Sequence, residues 1–66
     1  MSEADALRCF HQAEEARRAH QAALLEFQAA CLKRDWSKAD GARFAAVAAF
    51  EAYLDAMMAG YRETLD

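Results

Sequence analysis

Apolar residues recur along this chain at helical spacing, in two long runs separated by one short polar break. In the second run Phe44, Val47, Glu51, Leu54, Met58, Tyr61 and Leu65 step by three and four, which puts them on one face of a helix. The first run, Phe10, Ala13, Arg17, His20, Leu24, Phe27 and Cys31, has the same steps. The break is Arg34-Asp35-Trp36-Ser37. Ser2-Glu3-Ala4-Asp5 has the form of a capping box and predicts helix 1 over about 3–33, closed by the positive charges of Lys33 and Arg34. Ser37-Lys38-Ala39-Asp40 repeats that form and predicts helix 2 over about 38–64, although an Asp35 cap would start it about two residues earlier. A turn of about 34–37 forces the helices antiparallel and adjacent. The expected fold is all-α: one helical-hairpin domain over 1–66.

With the turn near Asp35, residues whose numbers sum to about 70 face each other. Leu24 then meets Val47, Phe27 meets Phe44, and Phe10 meets Tyr61. Arg17 and His20 fall level with Glu51, which predicts an ion-paired layer that fixes register. A second apolar stripe flanks the first: Ala22, Leu25, Ala29 and Leu32 on helix 1, and Ala46, Phe50, Tyr53 and Met57 on helix 2. One seam cannot cover both stripes, and a 66-residue hairpin is near the lower size limit for an independent core. A two-fold axis lets one patch cover its copy. The expected assembly is therefore a homodimeric four-helix bundle, with Leu25, Phe50, Tyr53 and Met57 at the dimer interface.

Composition sharpens this reading. The 56% apolar content is nearly half alanine, the best helix former and a small contributor of buried area. One Val, one Thr and no Ile leave little with which to build a sheet. Gly41 opens helix 2 in its first turn, where a Gly costs little or admits a close backbone; Gly60, late in helix 2, reads as a defect worth up to ~1 kcal/mol. Net charge is −3, all of it in residues 35–66, and neither half has the basic excess that nucleic-acid binding draws on. The acidic start lacks the basic region of a signal peptide, and no apolar run approaches ~20 residues, which predicts a soluble cytoplasmic protein.

Candidate chemistry is sparse. Cys9 and Cys31 lie on one predicted helix roughly 33 Å apart, too far to bridge within a chain, and read as reduced thiols or as a contact between antiparallel subunits. His11 and Glu15 lie one turn apart, yet the Glu-x-x-His pairs of di-iron bundles are absent, so no metal or cofactor is expected. No nucleophile, low-pKa thiol or Gly-rich loop points to an enzyme. Trp36 in the polar break either folds back over the end of the bundle or is the candidate anchor for a partner, with Leu32, Arg34, Arg43 and Phe44 around it.

In length and hairpin pattern the chain resembles the helical-hairpin dimers typified by the plasmid copy-number protein Rop. That resemblance implies a four-helix bundle and an RNA-binding regulator. The corresponding surface here, Arg8, His11, Gln12, Glu15 and Arg18, is of mixed charge and departs from the basic face of that family. The Trp36 turn and the Phe50, Tyr53, Met57 stripe also give it a likeness to small phage-encoded inhibitors and anti-activators of bacterial regulators. The function expected from residues and resemblance together is a non-enzymatic module that binds and inhibits a larger bacterial protein, such as a transcriptional regulator. The alternatives are a Rop-like RNA binder, or a co-chaperone or subunit of a hetero-complex.

Overall fold

The computed structural model describes residues 3–65. It consists of α1, Glu3–Leu32, and α2, Trp36–Leu65, 30 residues each. They pack antiparallel as a rod 49 Å long. Ser2, expected to cap α1, lies outside the described residues; Asp5, its expected capping partner, is 3.2 Å from Arg8 one turn on.

The turn is tighter than the sequence predicts, spanning only 33–35. Arg34 takes a left-handed conformation (φ 58°). Its N–H donates to the Cys31 carbonyl at 3.0 Å, and that of Asp35 donates to the Ala30 carbonyl at 2.9 Å. This is a Schellman closure, which satisfies the last carbonyls of α1. The chain emerges with Asp35 already at the start of α2, and its carboxylate accepts from the Lys38 N–H at 3.2 Å. Asp35, not Ser37, is therefore the cap. Trp36 and Ser37 belong to α2, while Lys33 and Arg34, expected to end helix 1, lie in the turn and leave no basic residue in its last turn.

A non-glycine residue in this conformation is strained by roughly 1–2 kcal/mol, and the position commonly carries Gly. Arg34→Gly should accordingly stabilise the fold by about 0.5–1 kcal/mol, read as a rise of several degrees in a thermal melt. A lowered melting temperature would show that the arginine side chain contributes more than the strain removes.

The seam between the helices is made of the smallest residues. Ala6, Ala13, Ala23 and Ala30 of α1 are buried against Ala39, Ala42, Ala46 and Gly60 of α2. Alanine and glycine let two helix backbones approach closely, which large side chains would prevent. Register and rotation thus part company. The register is as expected: Phe10 meets Tyr61 edge-on with ring centroids 5.5 Å apart, and Leu24 and Val47 line one cleft. Rotation of α2 is not. Its Phe44–Leu65 stripe, expected in the seam, faces outward, with Phe44 64% and Met58 53% exposed. The stripe expected outside, which includes Ala46, Tyr53 and Met57, lies nearer the seam.

Both glycines read differently in three dimensions. Gly41 lies in the second turn of α2, with open space where a Cβ would stand. Gly60 is no defect: a Cβ there would meet the Phe10 ring at 2.5 Å. The ring packs on bare backbone there and stands at 72° to the ring of Tyr61. Gly60→Ala should therefore destabilise the hairpin, because overpacking costs about 1–3 kcal/mol against a helix-propensity gain of about 1. In a Phe10→Ala background the same change should stabilise. A double-mutant cycle by thermal melts reads both signs, and equal effects in the two backgrounds would refute the contact.

Candidate interaction surface

Because the seam is built from alanine, the large side chains are displaced to one broad face. His20 is fixed on it by its Nδ1–H, which donates to the Ala46 carbonyl at 2.9 Å, and its ring lies 5.4 Å from that of Phe50. Phe50 in turn stacks on Tyr53 at 6.3 Å. Leu24, Phe27, Val47 and Phe50 wall a 230 Å³ cleft, with His20 and Arg43 beside them. A second cleft of 520 Å³ shares Phe27 and continues to the turn, between Cys31 of α1 and Trp36, Ser37 and Asp40 of α2. Beyond His20, the Phe10–Tyr61 pair carries the same face to the open end.

On α2 this face has a regular period. Trp36, Asp40, Arg43, Val47, Phe50, Leu54, Met57 and Tyr61 step 4-3-4-3-4-3-4, the heptad spacing of a coiled-coil seam. The two expected stripes separate Val47, Leu54 and Tyr61 from Phe50 and Met57 and leave out Trp36, Asp40 and Arg43, which hides the repeat. The signal was present as a strict seven-residue period in Val47, Leu54, Tyr61 and in Trp36, Arg43, Phe50, Met57.

The opposite face has a different character. Near the turn it is lined by Glu26, Ala29, Ala30, Lys33, Asp35 and Lys38.

The ion-paired layer expected from Arg17, His20 and Glu51 does not form. Glu51 points outward, because the rotation of α2 carries its stripe away from the seam. Arg17 instead donates through Nε at 2.9 Å, and through Nη2, to the two carboxylate oxygens of Glu14. Arg18 approaches the same carboxylate at 3.7 Å. The Arg17 hydrogen bond holds the Glu14 carboxyl below its ordinary range, and the bond to Glu14 raises the Arg17 guanidinium above its own. Both side chains keep contact with solvent (45% and 42% exposed), so the pair orients side chains on the face and adds little to stability.

Of the residues expected at the dimer interface, Phe50, Tyr53 and Met57 lie together, with Met57 half-buried. Leu25 is 67% exposed and joins neither their ring contacts nor the clefts. The five residues expected to bind a partner gather around the turn end. Trp36 (63% exposed) borders the larger cleft. Arg43 lies over the Phe44 ring, 5.1 Å from its centroid, and also donates to Asp40 at 2.8 Å. Leu32 and Arg34 are exposed on the α1 side.

Cys9 and Cys31 are free, half-buried thiols. Among the described residues no three His, Cys, Asp or Glu side chains converge as metal ligands. Among those residues, too, no helix is long and apolar enough to cross a membrane.

The surface total puts these details on a scale. The chain exposes 5022 Å². A compact monomer of its mass, 7.4 kDa, exposes about 4200 Å². The excess of about 800 Å² matches what each partner contributes to a standard protein–protein interface. Among the described residues, no side chain larger than alanine is buried.

Comparison with known proteins adds no relative: no family model, curated protein or solved structure matches the chain.

Proposed function

We propose that this chain is a non-enzymatic interaction module: a homodimeric helical hairpin, closing into a four-helix bundle, that binds a larger protein in the bacterial cytoplasm and inhibits it. The observation that carries this reading is the pairing of a seam built of alanine and glycine with an uncovered apolar face. Such a hairpin hides too little surface to stand alone. Burial of each large side chain on that face adds about 1.5–3 kcal/mol, which makes association the main source of stability.

Binding of a second, larger protein is supported by what gathers at the turn. Trp, Arg and Phe are residue types suited to interface anchors, and here Trp36, Arg43 and Phe44 are all exposed, with Trp36 on the larger cleft and Arg43 on the smaller. The basic side chains of α1 do not form a separate cationic stripe of the kind RNA binding uses. Arg8, Arg17 and Arg18 each lie against an acidic neighbour of the same helix, Asp5 or Glu14.

Light scattering, with thermal melts over a hundredfold range of concentration, tests the assembly. The expected result is twice the chain mass and a melting temperature that climbs with concentration. A folded monomer with a fixed melting temperature would overturn it. Affinity capture from the source cell tests the binding role: a partner is expected on the intact chain and lost on Trp36→Ala, with dimer mass unchanged. Capture insensitive to Trp36 would remove the turn from the site.

A further inference from the structure

We infer that the occupant of the apolar face is a second copy of this chain, packed with its turn at the opposite end of the rod, about a two-fold axis level with Leu54. This rests on the dimer proposed above and adds its face, polarity and register. The excess surface of about 800 Å² equals one partner's share of a standard interface, so one identical face suffices to cover it.

Charge selects the arrangement. The α2 heptad stripe is charged only at Asp40 and Arg43, near the turn, and runs uncharged from Val47 to Tyr61, with Leu54 at the midpoint. A two-fold axis there lays the uncharged part on its own copy: Val47 on the partner's Tyr61, Phe50 on the partner's Met57, Leu54 on the partner's Leu54. The hairpin register, fixed by the Phe10–Gly60 approach, places the same axis level with Ala16 and Arg17 of α1. Full overlap of the rods, with the axis near residue 50 of α2, would instead lay Asp40 on the partner's Tyr61 and Arg43 beside the partner's Met57. The offset also leaves Trp36 and its cleft overhanging the partner's open end, free for another protein.

Distances between paired spin labels test this. The labels sit on Ser37→Cys, or on Asp55→Cys, in a chain carrying Cys9→Ala and Cys31→Ala. Both label sites are exposed. At 1.5 Å per residue, the two Ser37 labels should lie about 50–55 Å apart. The Asp55 labels, near the axis, should lie within about 30 Å. A Ser37 distance under about 30 Å would put both turns at one end, and about 40 Å would mean full overlap. Either result overturns this arrangement while leaving a dimer. The absence of any measurable distance at both sites would overturn the dimer itself.

Discussion

Leucine in place of Ala13 and Ala30 is expected to abolish the folded hairpin. Both alanines are 2% exposed in the seam, where the helix backbones come closest. An inserted isobutyl group has nowhere to go except between them. Overpacking costs about 1–3 kcal/mol per site, and a domain of this size has no more than ~3–5 kcal/mol to lose. Circular dichroism should show loss of the cooperative transition, although leucine itself is a good helix former and adds apolar area. The same exchange at Ala48, exposed on α2, should leave the melt within about 0.5 kcal/mol of the parent. If the double variant melted normally, the helices would have to be separated by more than an alanine seam allows.

Leu54→Asp is expected to raise the dimer dissociation constant more than a hundredfold. Leu54 is 44% exposed on the single chain and, in the proposed assembly, meets its own copy on the axis. One substitution then brings two carboxylates together in an apolar interface, with no counter-charge in the uncharged run of the stripe. A hundredfold is about 2.7 kcal/mol, modest beside the cost of one unpaired buried charge. Sedimentation equilibrium gives the constant. Phe44→Asp, which also removes a large exposed apolar group but lies outside the heptad stripe, should leave the mass unchanged. Equal dimer loss in both variants would mean that general hydrophobicity, and not this stripe, drives association.

These two expectations show where sequence reasoning reached and where it stopped. The hairpin and its register follow from one break and two matched runs, because antiparallel helices joined by a short turn have no other way to align. The Phe10–Tyr61 pairing is the direct consequence. Rotation about the helix axis was not legible. α2 carries alanine or glycine over much of its circumference, and a rule that sends the largest apolar stripe inward selects Phe44, Leu54 and Met58. Close approach of two backbones favours the smallest stripe instead, a packing effect that per-residue hydrophobicity does not encode. The cap was ambiguous for a related reason. Asp35 and Ser37 both head plausible capping motifs, and only the left-handed Arg34, which closes α1 early, decides between them. At the candidate site, the aromatic turn was visible in the residues themselves. The continuous face joining Phe10, His20, Phe50 and Trp36 was not, since it depends on the rotation.

The alanine seam has a thermodynamic corollary. Heat capacity of unfolding tracks the apolar area that folding removes from water, about 12–15 cal/mol/K per residue in ordinary domains. Methyl groups alone remove little, so separating the two helices of one chain should contribute a small heat-capacity change. Most of it should accompany separation of the copies. Stability would then curve with temperature mainly through association, and cold should weaken the assembly before it unwinds the rods.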